Sequence, residues 1–300
     1  VKDMVGRNTF GNRLTDGAVL ILLIAVACIC FIPILYTLSM SLSDKAAAEA
    51  GRVFLWPVNL TWASYDKVLQ DEHFYRAFLV SVHRVLLGGS ISFVLTIMAA
   101  FALSRETKVF GLRNVYMWIL VFTMLFHGGL IPWYLTIKNL ELLDTIWALV
   151  LPGAVPVYNI ILLMNFFRNL PKELMEAAEM DGAGPWYILA RIFVPLSLPA
   201  IATVTLFSIV GHWNSFFDGL VLMNSQDNYP LQTYIQTLVV QINAEMMATM
   251  STNQLVDLMK ISNRTFNAAK IIVSMIPIVL LYPFIQRFFI HGLTLGSVKE

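Results

Sequence analysis

Six stretches of this chain are too apolar and too long to be left in water: Gly17–Leu42, Ala77–Ser104, Leu112–Ile137, Thr145–Phe167, Pro195–Met223 and Ile271–Phe289. Each supplies the ~20 mostly apolar residues that a helix needs to cross the hydrocarbon of a bilayer. The runs are continuous rather than alternating, which argues against a barrel of tilted strands. Composition agrees. The chain is 58% hydrophobic and 13% charged, against ~45–50% apolar and ~25% charged in soluble domains. Its mean hydropathy is +0.70. The sequence therefore predicts an all-α membrane protein of six transmembrane helices, a single membrane domain over residues 1–300 with lipid as its solvent. The first run is longer than a signal-peptide core and no small-x-small cleavage site follows it, so it reads as a retained span.

Lys and Arg set the expected orientation. One set of connections carries Lys2, Arg7, Arg13, Arg105, Lys108, Arg113, Arg168, Lys172, Arg191, Arg287 and Lys299. The other set is longer and poorer in cations per residue, so both termini are predicted to be cytoplasmic. Two external segments follow from this, about 43–76 and about 224–270. The second is long for a compact bundle and reads as a docking element, with an amphipathic helix expected around Asn253–Asn263. A net charge of +1 with no basic stripe gives no nucleic-acid footprint.

Small and polar residues recur at helical spacing within two spans. On the second they are Ser81, Gly88, Ser92, Thr96 and Ala99; on the fifth, Ser208, Gly211, His212, Ser215, Asp218 and Gly219. Such faces let helices approach closely in lipid. On the fifth span they also mark a candidate translocation pathway of Gly211, His212, Asn214, Ser215 and Asp218, because ionisable and amide groups at membrane depth are costly unless they face protein or water. Trp213, Phe217 and Leu220 are expected on another side. Pro132, Pro152, Pro156 and Pro277 are expected to kink spans three, four and six.

The most informative stretch lies on the cytoplasmic side, about 168–195, and runs from Leu170 to Trp186. Pro171 suits a first helical turn, and Glu173 and Glu176 follow where the helix dipole favours acids. Ala177 and Ala178 leave a small face for a partner surface, and Gly182 suits the residue just past the helix end. The chain has no Gly-Lys pair, hence no phosphate-binding P-loop. His73, His83, His127, His212 and His291 are scattered, without the spacing of a metal site.

The spacing Glu176-Ala177-Ala178, Gly182, Ile192, Pro195 resembles the EAA loop of binding-protein-dependent ABC importers, E-A-A-x3-G-x9-I-x-L-P, with Val194 in place of Leu. The flanks, the "NTFGNRLTD" start, "HGGLIPWYL", "GHWNSFFDGL" and the "GLTLGSVKE" tail are similar to MalG-type carbohydrate permeases. They look most like the LplC/YtcP-like branch, related to permeases for polysaccharide and alginate fragments. The resemblance implies a type I ABC importer permease fold in the inner membrane and a non-catalytic subunit. It implies a second homologous permease, two ATPase subunits that bind ATP and Mg, and an extracytoplasmic solute-binding protein. It also implies that Glu176, Ala177, Ala178, Asp181 and Gly182 couple this chain to an ATPase. Permeases for peptides or amino acids share the loop, so another solute class stays open. An ion-coupled secondary transporter would need carboxylates in the bundle, and Asp218 is the one candidate.

Overall fold

The computed structural model describes the backbone of residues 10–241 and 263–295, with side chains for 15–237 and 264–283. All regular structure among the described residues is helical. The chain groups into two compact units, residues 1–71 with 239–273 and residues 72–238 with 274–300.

The first unit opens with α1 (Phe10–Ser41), whose apolar window is not buried by its own chain at all. A helix that is apolar all round and unburied needs lipid or another chain as its surroundings. Its end is fastened by hydroxyls. Ser39 Oγ donates to Leu55 O at 2.7 Å, Ser43 Oγ donates to Ser39 O at 2.6 Å, and Ser43 Oγ accepts from Val58 N at 3.0 Å. Short helices α2 (Lys45–Glu49) and α3 (Ala63–Gln70) follow, the former capped by Asp44, which accepts from Ala46 N. Ala47 and Ala48 pack with Met40, Val53 and Ala268. Lys270 is 1% exposed, donates to Asp71 Oδ2 at 2.6 Å and lies 4.0 Å from the Phe266 ring centre. That pairing lets a charge sit inside the unit.

The second unit is organised on α4 (Glu72–Ser104), which carries Ser81, Arg84, Gly88, Ser92, Thr96 and Ala100 buried along one face. Helices α5 (Arg113–Leu125) and α6 (Leu130–Asn139) replace the single span, kinked at Pro132, expected over Leu112–Ile137, with a bend of 113° between them. The cause is local. Gly129 adopts φ 90°, ψ 170°, a conformation open only to glycine. Pro132 does not make the bend. It stands in the first turn of α6, where its missing N–H has no helical partner to lose.

The fourth run is also bent, by 43°, between α7 (Ile146–Val150), which passes into a 3₁₀ turn at Leu151–Gly153, and α8 (Val157–Arg168). Pro152 and Pro156 stand at that break, where neither could donate to a continuing helix. Helix α9 (Lys172–Met180) lies in the loop after it. The segment Pro185–Leu196 then comprises α10 (Pro185–Ile188), a π-helical stretch Leu189–Phe193 and α11 (Val194–Leu196). It meets α12 (Leu198–Asn214) at 86°. The fifth run is thus not one helix over Pro195–Met223. It turns a corner at Ser197, stops at Asn214, and resumes as α13 (Phe217–Leu222). Pro195 removes the amide that would bond to Arg191 O, and the backbone widens just before it.

Helix α4 packs on α8 and α12. The core between them includes Ile97, Ala100, Leu103, Ile160, Leu163, Ile188, Ala200 and Val204. Phe193 sits edge-on to both Phe101 and Phe167, at 5.0 and 5.2 Å between ring centres. A second cluster of Ile137, Ala148, Leu149, Leu222 and Met223 joins α6, α7 and α13. Helix α14 (Leu231–Gln241) lies early in the segment expected to be external, whose expected helix around Asn253–Asn263 falls almost wholly outside the described residues. The last helix, α15 (Asn263–Leu295), contains Pro277 and Pro283 and continues through both, so Pro277 does not end or split it. Among the described residues, three single helices are long and apolar enough to cross a membrane, and three bent pairs bring the number of crossings up to six if each pair is one span.

Candidate functional site

Two places in the second unit gather the residues singled out from the sequence. The first is the loop around α9. Pro171 is its N-cap and Glu173 lies in its first turn. Its other end is closed by Gly182 at φ 78°, with Gly182 N donating to Glu179 O at 3.0 Å and Ala183 N to Ala178 O at 2.9 Å. This paired closure satisfies the last carbonyls and needs a left-handed residue at 182, which glycine supplies without strain. Leu170, Met175, Ala178 and Ala183 face the core, whereas Glu176, Ala177, Asp181 and Gly182 are exposed. Ala177, Ala178, Asp181 and Gly182 line an open hollow of about 490 Å³ that Tyr187 and Arg191 complete. Glu176 stands outside the hollow.

The loop is not loose. Lys172 pairs with Glu106, and Arg105 reaches both Met175 Sδ and Glu179, the latter at 3.6 Å. Burial pulls the Arg105 guanidinium below the ordinary arginine value, and Glu179 offsets part of that shift. Its charge also lies 4.6 Å over the Phe101 ring. Helix α9 is therefore clamped to the end of α4 through residues 105 and 106.

The second place is a cavity of about 380 Å³ between α4, α8 and α12. Of the residues singled out on the fifth span, Gly211, His212, Ser215 and Asp218 line it; Asn214 does not and is exposed. Trp213 is turned away and buried, donating its indole N–H to Ser274 O at 3.1 Å and lying edge-on to Phe78. Phe217 and Leu220 are exposed. The cavity has two polar groups that the sequence reading missed, Arg84 and Asn159, and a third, Ser92, that it read as helix packing. Arg84 is 3% exposed and grips both carboxylate oxygens of Asp218. Ser215 Oγ and Gly219 N also donate to Asp218 Oδ1, at 2.8 and 2.9 Å. Asn159 Nδ2 donates to Val204 O and Ser208 Oγ. A signal for Arg84 was present. It is the one Lys, Arg, Asp or Glu in its span, Asp218 is the one in the fifth, and lone opposite charges in spans tend to pair.

Helix α12 comes close enough to α4 for the His212 ring to occupy the space above Gly88, where a Cβ would stand 2.7 Å from the imidazole. The small face of α4 is thus a packing surface along most of its length and a cavity wall at Arg84 and Ser92.

Comparison with protein-family profiles matches residues 92–294 to "Binding-protein-dependent transport system inner membrane component". The chain belongs to this family. The match covers the loop of α9 and the cavity residues of α12 and α13. As a member, the permease is a membrane-embedded, non-catalytic component of an ABC transporter. It is 36% identical to the polygalacturonan/rhamnogalacturonan transport system permease protein YtcP of Bacillus subtilis, over 96% of this permease and 99% of that protein. It is also 36% identical to protein LplC of the same organism, over 97% of each. Among solved structures it is similar to a bacterial ABC transporter involved in the import of the acidic polysaccharide alginate. The TM-score there is 0.85 and the identity 32%, with 95% of this permease and 100% of that chain covered.

Proposed function

We propose that this permease is one of two homologous membrane subunits of an ATP-driven importer for oligosaccharides or polysaccharide fragments. The observation that carries the reading is α9: a short capped helix with Glu176, Ala177, Asp181 and Gly182 exposed, held to α4 by Arg105 and Lys172. A rigidly mounted helix with a small, unburied face suits insertion into a partner's groove. Two ATPase subunits bind ATP and Mg and receive this helix, and a solute-binding protein delivers the sugar on the opposite side. The distribution of Lys and Arg supports placing α9 and both termini in the cytoplasm. The carbohydrate assignment follows the relatives, whose named cargoes are polysaccharides.

The cavity beside Arg84 and Asp218 serves as this subunit's wall of the translocation pathway. Its hydroxyl, amide and imidazole groups offer hydrogen bonds to a polyhydroxylated solute. The test is reconstitution of the complex with its ATPases and binding protein, followed by uptake of oligogalacturonides, neutral oligosaccharides and peptides. Saturable ATP-dependent uptake of saccharides alone is expected. Uptake of peptides in preference to saccharides would reject the substrate class, and uptake that persists without ATPase activity would reject the importer mechanism.

A further inference from the structure

The turn between α4 and α5 carries a second cavity, about 280 Å³, that the transport reading does not use. Its cations are Arg105, Arg113, Arg168 and Lys172. Two of them are already neutralised: Arg105 faces Glu179 and Lys172 faces Glu106. The other two meet only backbone oxygen among the described residues, Arg113 donating to Arg105 O at 3.2 Å and Arg168 to Leu103 O at 3.0 Å. The Nε–H of Arg113 is buried and has no acceptor. Two guanidinium groups on one small cavity, with a donor left over, favour an anion with several oxygens.

The same turn borders an apolar groove of about 290 Å³ formed by Ala99, Leu103, Phe110, Tyr116, Ile119 and Leu120. The charged cavity takes its walls from the C-terminal end of α4, the start of α5 and the end of α8, where three predicted crossings reach the bilayer boundary, and is closed by the start of α9 and Phe193. A polar site with unmatched positive charge beside a carbon-lined groove, at headgroup depth, has the two-part chemistry of a phospholipid. We propose that the α4–α5 turn binds the phosphodiester headgroup of an anionic phospholipid, with part of an acyl chain in the groove. Bound there, the lipid sits beside Arg105 and Lys172, the residues that clamp α9.

The test uses the assembled transporter extracted from vesicles of equal phosphatidylglycerol and phosphatidylcholine. Native mass spectrometry should find phosphatidylglycerol enriched about tenfold among retained lipids, and Arg113→Gln with Arg168→Gln should bring the ratio close to parity. Equal retention of both lipids by the wild-type complex would overturn the proposal. A photo-activatable phosphatidylglycerol should cross-link to residues 99–120 of the unaltered permease, a readout that does not depend on the variant folding; cross-links confined to other segments would reject the site. Complete displacement of the lipid by millimolar inorganic phosphate would assign the cavity to a free anion instead. Loss of the ATPase subunits from the double variant at unchanged lipid content would assign it to a protein carboxylate.

Discussion

Arg84 on α4 holds Asp218 on α13 across 134 positions of sequence, guanidinium to carboxylate, with Ser215 completing the carboxylate's hydrogen bonds. The pair joins the buried face of the longest helix in the second unit to the point where α12 has ended. It therefore fixes the break in the fifth run as much as it lines the cavity.

Removing one member should be worse than removing both. Arg84→Leu or Asp218→Leu alone leaves a charge without its partner and should cost about 3–5 kcal/mol. The double variant should recover much of that loss. Thermal unfolding of the purified complex measures the difference; a double variant no more stable than the worse single one would contradict this role for the pair.

Gly88→Ala should damage the same region one turn along α4 from Arg84. The new methyl meets the His212 ring at 2.7 Å, and overpacking of this kind costs about 1–3 kcal/mol. Combining it with His212→Ala should restore stability, because the ring that clashes is gone. No recovery in the pair would show that the ring is not the obstacle.

At Gly182 the backbone itself discriminates between substitutions. A left-handed residue other than glycine costs about 1–2 kcal/mol, and asparagine tolerates that conformation better than a β-branched side chain does. Gly182→Val should therefore uncouple uptake from ATP hydrolysis while Gly182→Asn retains most of it. Both variants should still insert and assemble. Equal substrate-stimulated ATPase activity in the two would remove the conformational argument.

Asp144 gives a pH-dependent contact. Its Oδ1 accepts from Asn224 N and Ser225 N at 3.0 and 3.1 Å. Burial pushes its carboxyl up, but those amides and the Asn228 side chain outweigh it and hold the group below the usual carboxylate value. A lowered folded value means that the contact's stabilisation is complete above the unfolded value of ~3.9 and fades as pH falls through the folded one. The tether should be intact at neutral pH and released only in acid below that range. Asp144→Ala should abolish this acid-dependent step, seen as protease access at 223–229, and Asp144→Asn should leave the tether formed but insensitive to pH. A wild-type profile that is flat through the acid range would refute it.

Cysteine placed at Ser215 should react with a water-soluble thiol reagent in a background without Cys28 and Cys30, and its labelling should rise when ATP is bound. Cysteine at Leu220, outside the cavity lining, should stay silent. The reverse pattern would place the cavity face against lipid.

Apolar run length and the closing glycine of α9 were readable from residues alone, because both depend on local chemistry. Hydropathy could not separate a straight crossing from a bent one. Residues 112–137 are mostly apolar, yet the backbone turns at Gly129, and Phe126 to Gly128 leave the helix before it. Ser197 likewise has no property that announces an 86° corner; the bend depends on Pro195 before it and Pro199 after it, with the α4 and α8 surfaces beside them. Asn214 looked equivalent to its neighbours on a helical wheel, but the helix ends there and the wheel no longer applies. Arg84 was legible only as half of a pair whose other half lies 134 residues away.

The corner at Ser197 has a mechanical consequence. A helix that joins another end to end transmits a push along its axis, whereas one that joins at 86° transmits it sideways. Displacement of Pro185–Leu196 along its own length would swing the start of α12 across the bundle instead of driving it through. With the far end of α12 close to the Arg84–Asp218 link, that end would act as the fulcrum. A small shift beside α9 would then reach the cavity as a change of tilt.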